Sequence, residues 1–108
     1  MTTYRAVMLT RPGGLDVLEH RELPLVGPGP GEVRLVVRAT GAGATDLTMR
    51  AGRYRFAPPM PFVPGYEVVG VIDALGPDVT GWARGDRVAA LTVHGGYAER
   101  LVWPAADL

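Results

Sequence analysis

The sequence predicts a mainly β fold, barrel-like, built from short strands with one or two short helices. Three observations carry this. Short apolar or alternating stretches recur along the chain. Fifteen glycines and ten prolines punctuate them, spread out rather than gathered into a linker. Only one stretch has helix signals at both ends, and no βαβ alternation appears.

Taken in order, Tyr4 to Leu9 reads as a short apolar strand, closed by the turn Arg11-Pro12-Gly13-Gly14. Val17 to Leu23 alternates, with Glu19 and Arg21 sharing a parity with Val17 and Leu23, which suits a weak, exposed strand. Gly27-Pro28-Gly29-Pro30-Gly31 cannot be helical and forms a loop. Glu32 to Ala39 is the clearest strand, with Val33, Leu35 and Val37 on one face and Arg34, Val36 and Arg38 on the other. The helix is expected over Thr45 to Ala51, opened by Ala44 or Thr45. Asp46 suits its positive end, Arg50 its last turn, and Gly52 a left-handed exit. Pro58, Pro59, Pro61 and Pro64 then impose an extended, irregular loop up to Gly65. Glu67 to Leu75 is a Val/Ile-rich strand, and turns at Gly76-Pro77-Asp78 and Thr80-Gly81 follow it. Asp86 to Leu91 is the next strand, and Tyr97 to Trp103 the last, after Gly95-Gly96.

Composition bounds the function. At 108 residues the chain fits one domain, 1–108, with 47% apolar and 20% charged residues. Eleven basic residues balance eleven acidic ones, so no global field favours nucleic acid or an anionic membrane. There is no cysteine, which excludes disulfides and thiolate zinc sites. His20 and His94 lie far apart and lack a metal-ligand spacing. No stretch approaches the ~18 apolar residues that span a bilayer, and no secretory signal is visible at the N-terminus. The expected location is cytoplasmic.

The richest stretch is Pro64-Gly65-Tyr66-Glu67-Val68-Val69-Gly70, followed by Leu75-Gly76 and Gly85-Asp86-Arg87-Val88. With Pro28-Gly29-Pro30-Gly31-Glu32-Val33, Gly41-Ala42-Gly43-Ala44-Thr45-Asp46, Tyr54 and Gly95-Gly96-Tyr97-Ala98-Glu99, these motifs stand in one order along nearly the whole chain. Each alone is weak. Together they resemble the N-terminal, GroES-like catalytic domain of the medium-chain dehydrogenase/reductase superfamily, which implies a partly open β-barrel.

The departures from the family pattern concern its chemistry. Zinc-dependent members have a cysteine where this chain has Gly43 and a histidine where it has Tyr66, and they insert a four-cysteine lobe after the GDRV strand. Only Leu91 to His94 separate that strand from Gly95 here. The resemblance therefore implies the zinc-free, quinone-oxidoreductase-like branch, with no Lewis-acid metal. Many quinone oxidoreductases carry asparagine at the Gly43 position, near the nicotinamide. Hydride-transferring members continue into a Rossmann domain, whose Gly-rich turn meets the pyrophosphate. No G-x-G-x-x-G exists in this chain, and Gly27-Pro28-Gly29-Pro30-Gly31 puts prolines where backbone donors are needed. NADPH or NADH is expected in the full-length enzyme, and no dinucleotide binding and no turnover in this chain alone.

Each candidate residue carries two readings. Thr45 matches the hydroxyl with which the family relays a proton to or from the substrate oxygen, and it also suits a helix cap. Asp46 reads as structural. Gly43 and Thr45 match positions beside the nicotinamide. Tyr54 either lines the cleft, stacking on a flat ring while its hydroxyl donates, or is a half-buried loop aromatic. Tyr66 fills the vacated metal-ligand position, with its hydroxyl toward the cleft. Glu67 looks catalytic, yet without a metal it reads as a hydrogen-bonded core acid. His94 reads as a surface-loop residue, and His20 has no functional claim. Phe56, Met60 and Phe62 are either the apolar wall of a substrate pocket or surface that another domain covers.

The resemblance thus implies the substrate domain of a zinc-independent NAD(P)H-dependent reductase of quinones or conjugated carbonyls, needing a Rossmann domain in cis or trans. Thr45, Tyr54 and Tyr66 are its expected catalytic residues. Exposure of the Phe56–Phe62 face implies self-association. The alternative is a stand-alone GroES-like binding or assembly module without activity.

Overall fold

The computed structural model describes residues 2–108. Strands β1 (Thr3–Leu9) and β2 (Leu18–Pro24) form an antiparallel hairpin, in register from Leu9↔Leu18 to Thr3↔Pro24. A 3-10 turn over Leu15–Val17 precedes β2 and buries Val17. As its mixed parity predicts, β2 is largely exposed.

The second sheet has the order β5-β4-β3-β6, with every neighbouring pair antiparallel. Its strands are β3 (Glu32–Thr40), β4 (Glu67–Leu75), β5 (Arg87–Leu91) and β6 (Arg100–Pro104). Alternation sets the core face: Val33 and Leu35 from β3 meet Val68 and Ile72 from β4 and Val88 from β5, all buried. Val37, Trp82 and Leu101 cover the edges of this cluster.

Two crossings join the sheets. Phe62 bridges Leu9, and their backbones exchange hydrogen bonds of 3.2 and 2.8 Å. Ala98 bridges Ala6, flanked by Val7 N–H donating to Tyr97 at 2.8 Å and Glu99 N–H donating to Arg5 at 2.9 Å. The expected last strand over Tyr97 to Trp103 therefore splits. Tyr97–Glu99 pairs with β1, and the chain passes to β3 at Glu99, whose carbonyl accepts from Val37 N–H at 3.0 Å. The sheets wrap around each other without closing into a barrel.

The single α-helix among the described residues, α1, runs over Ala44–Arg50, and Gly52 takes the left-handed exit at φ 76°. Its Met49 joins Leu9, Val17 and Phe62 in a second buried cluster, against which Tyr54, Met60, Tyr66 and Val93 pack. This corrects one expectation. Phe62 is 7% exposed and belongs to the core. The prolines prevent a regular element there, but the bridge to Leu9 still turns the side chain inward. No helix among the described residues is long and apolar enough to cross a membrane.

Candidate functional site

The site forms where the end of β3, the start of α1 and the Pro64–Glu67 segment meet. Gly43 is the N-cap of α1, so Thr45 lies in the first turn and is not the cap. Gly43 has no side chain to offer, and only the return half of a capping box forms: Asp46 Oδ2 accepts the Gly43 N–H at 3.0 Å. Asp46 is buried, as its structural reading required. The half-buried Thr45 hydroxyl is left uncommitted to capping.

The second wall depends on Gly65. Its φ is 116°, and a Cβ there would lie 2.5 Å from the Cα of Gly96. This close approach lets Gly96 N–H donate to Gly65 at 3.1 Å and Tyr97 N–H donate to Pro64 at 2.9 Å. One residue on, the Tyr66 carbonyl accepts from both Thr92 N–H (2.8 Å) and Val93 N–H (2.9 Å). Val93 has φ 70°, an unfavourable conformation for a β-branched residue and one the sequence gives no sign of. These bonds fix the backbone that carries Tyr66. Thr40 Oγ1 ties the two strands at the floor, donating to the Glu67 carbonyl at 2.8 Å.

The result is a cleft of about 120 Å³, lined among others by Gly41, Gly43, Thr45, Tyr66 and Glu67. It borders a wider, open cleft of about 510 Å³ that shares Gly41 and Glu67 and runs along Ala39, Val69, Ala89 and Leu91. Tyr54 stands behind Tyr66. Hydrogen bonding with Tyr66, with a smaller effect of burial, holds its phenol above the ordinary value. Phe56 meets Tyr54 edge-on, with centroids 5.8 Å apart at 71°, and carries the Arg55 guanidinium 5.5 Å from its own centroid.

Of the expected site residues, Gly43, Thr45 and Tyr66 therefore come together, with Tyr54 adjacent. Phe56, 68% exposed, lies outward on the far side of Tyr54. Met60 is half-buried against the second core cluster, and Phe62 is inside it. Two further expectations change. Glu67 is exposed rather than a core acid, because strand parity buries Val68, Gly70 and Ile72 and turns Glu67 and Val69 outward. That parity was visible in the sequence. His94 is not a free surface residue: it lies edge-on between the rings of Phe62 (6.3 Å) and Trp103 (5.5 Å), and burial pushes its imidazole down.

The half-buried Tyr97 beside the buried Asp46 of α1 was not foreseen. Burial, then the charge and hydrogen bonding of Asp46, push the Tyr97 phenol up to about 12. Among the described residues, no group of three His, Cys, Asp or Glu side chains could hold a metal ion.

The alcohol dehydrogenase GroES-like domain family matches residues 29–108. The rat synaptic vesicle membrane protein VAT-1 homolog is 41% identical over 105 residues, covering 95% of this chain and 26% of that protein. Human quinone oxidoreductase is 37% identical over the same length, covering 95% and 31%. The crystal structure of the human VAT-1 homolog-like protein superimposes with a TM-score of 0.92 at 36% identity, over 98% of this chain and 34% of that one. A mycobacterial protein solved in complex with NADPH gives a TM-score of 0.83 at 37% identity, over 96% and 32%. The chain spans about a quarter to a third of the length of these relatives.

Proposed function

The chain belongs to the alcohol dehydrogenase GroES-like domain family, within the medium-chain dehydrogenase/reductase superfamily, and from that premise we propose that it is the substrate-side domain of a zinc-independent, NADPH-dependent quinone or enone reductase. The observation that carries this is the convergence of Gly43, Thr45 and Tyr66 on one cleft, with the Thr45 hydroxyl not used as a cap.

The donor set supports zinc independence. A tyrosine occupies the ligand position, the chain has no cysteine, and no three-ligand cluster exists among the described residues. The fold itself does not decide the matter. A Pyrobaculum aerophilum alcohol dehydrogenase with bound cobalt and zinc superimposes with a TM-score of 0.87 at 32% identity.

The cofactor belongs to a Rossmann domain, in cis or trans, because this chain has no glycine-rich pyrophosphate turn. Only the nicotinamide end would reach this chain, where Gly41 and Gly43 leave the cleft open beside Thr45. The hydride would come from the nicotinamide when it is bound there. The residues of this chain bind the acceptor and stabilise its oxygen. Tyr66 and Thr45 donate hydrogen bonds to the carbonyl oxygen as negative charge develops on it, the largest effect such groups exert. The Thr45 hydroxyl passes that oxygen a proton and takes one back from the solvent of the open cleft as it does so. Tyr54, whose phenol is held above its ordinary value, stays protonated and supports Tyr66 from behind. The cytoplasm, where NADPH is available, is the location this reading assigns.

The mass of the natural gene product and its NADPH oxidation with a quinone test the proposal. A polypeptide of several hundred residues that turns over quinone supports it. A natural product of this length without turnover supports the stand-alone module instead.

A further inference from the structure

A separate cleft, of about 300 Å³, shares no residue with the Thr45–Tyr66 site. It lies where the chain leaving β2, at Leu25 and Val26, passes β3 and β6. Arg34 of β3 and Arg100 of β6 stand in its wall. They come from adjacent strands, close in register: Arg34 pairs with Val102, and Val36 with Arg100. Their side chains point from the face opposite Leu35, so the first core cluster does not absorb them.

The charge there is unbalanced. Asp73 serves both guanidiniums, accepting from Arg34 Nε at 2.8 Å and lying 3.4 Å from Arg100 Nε. Asp73 is the one carboxylate in contact with the two guanidiniums; Glu99, whose charge also reaches Arg100, is committed to Arg5, so an excess of one positive charge remains, and no Asp or Glu lines the cleft. Donors are also left over. Arg34 Nη1 is used by the Val26 carbonyl at 3.2 Å and Arg100 Nη1 by the Glu99 carbonyl at 3.3 Å. Arg100 Nε is buried against Asp73, so the N–H groups left over for a ligand are those of the two Nη2 atoms, which make no hydrogen bond among the described residues. A buried or half-buried guanidinium with spare N–H groups is a fork suited to a planar anion.

The remaining walls are of another kind. Leu25, Val63, Leu101 and Val102 supply hydrocarbon, and Tyr4 and His94 supply rings. Burial raises the Tyr4 phenol and lowers the His94 imidazole, so both are neutral near pH 7 and leave the arginine pair to set the charge. Mostly apolar walls with a few convergent polar groups, at this volume, match a small-ligand site.

We propose that this cleft binds a small monocarboxylate with an apolar body, its carboxylate held by Arg34 and Arg100 and its hydrocarbon part laid against Leu25, Val63 and Val102, the last on the same sheet face as the arginines. The site is separate from the reductase reading and stands or falls without it.

Titration calorimetry with hexanoate and benzoate tests the site, with hexanol and benzyl alcohol as neutral counterparts and sodium chloride at matched ionic strength. At least one carboxylate should saturate with a millimolar or tighter Kd, the alcohols should bind at least tenfold more weakly, and chloride should neither bind saturably nor displace the carboxylate. Arg100→Met should weaken binding at least tenfold. Because that change leaves Asp73 with a single cation and can lower stability, Val26→Glu is the second variant. Val26 is 55% exposed at the rim, so the change spares the core while placing a competing carboxylate at the site, and the same loss is expected. Equal binding of the alcohols, competition by chloride, no saturable response to either carboxylate, or full binding by Val26→Glu would each overturn the proposal.

Discussion

Replacing Phe62 with Ala should cost this protein much of its stability, while replacing Phe56 with Ala should cost almost none. The two phenylalanines sit six residues apart in one proline-rich loop, and sequence alone treats them alike. Phe62 is 7% exposed and packs with Leu9, Val17 and Met49, whereas Phe56 is 68% exposed. Removing a nearly fully buried aromatic ring forfeits about 2–3 kcal/mol of transfer free energy. The cavity left among Leu9, Val17 and Met49 brings the total to about 3–5 kcal/mol. The Leu9–Phe62 bridge holds the backbone on both sides of that gap and limits its collapse. Against a total of about 5–15 kcal/mol for a domain of this kind, such a loss leaves the variant marginal. Phe56→Ala loses an edge contact with Tyr54 and a solvent-facing cation–π contact, within about 0.5–1 kcal/mol. Urea unfolding followed by tryptophan fluorescence should give a markedly lower midpoint for Phe62→Ala and a near-normal one for Phe56→Ala, with similar slopes. Equal effects, or a loss below about 1 kcal/mol for Phe62→Ala, would refute the core assignment.

Gly65→Ala should destabilise the protein severely. It demands a positive φ from alanine and drives a methyl group into the Gly96 backbone, so circular dichroism should show a lowered Tm or no folded state. Stability should also fall as pH drops through about 6.5. The unfolded His94 then takes up a proton that the buried native imidazole refuses, and the loss levels off below the lowered native value. Urea midpoints between pH 5 and 8 should show this slope, and His94→Gln should abolish it. The purified protein, dialysed at concentrations well above trace metal, should hold far less than one zinc per chain by elemental analysis. One tightly held ion per chain would overturn the zinc-free reading. The isolated chain should self-associate through Phe56 and not through the buried Phe62. Sedimentation of Phe56→Ser should show any dimer weakened.

The strands were legible because alternation is local. Glu67–Leu75 announces itself by its β-branched run, and Glu32–Thr40 by its two distinct faces. The last strand was misplaced because Tyr97–Glu99 answers to β1 and Arg100–Pro104 to β3, a division that depends on partners remote in sequence. Helix α1 was placed to within a residue, and its cap was misassigned because Asp46 reaches back to Gly43. Phe62 was misread because a loop without periodicity gives no sign of which side chains turn inward. Glu67 was misread for a different reason: without a metal it reads as a hydrogen-bonded core acid, while the parity of its own strand turns it outward, to the rim of the cleft. Gly43, Thr45 and Tyr66 could be connected only through their motif order. Nothing in their spacing of two and twenty-one residues reveals that Gly65 and the Thr92–Val93 amides hold them at one cleft.

The most direct measurement is steady-state NADPH oxidation with a quinone, by this domain within its natural polypeptide, before and after chelation and dialysis. The account predicts turnover that survives metal removal and falls at least ~10-fold in kcat/KM in both Tyr66→Phe and Thr45→Val, the loss expected when one donor to a developing oxyanion is deleted. Turnover that disappears with the metal, or that neither substitution changes, would contradict it.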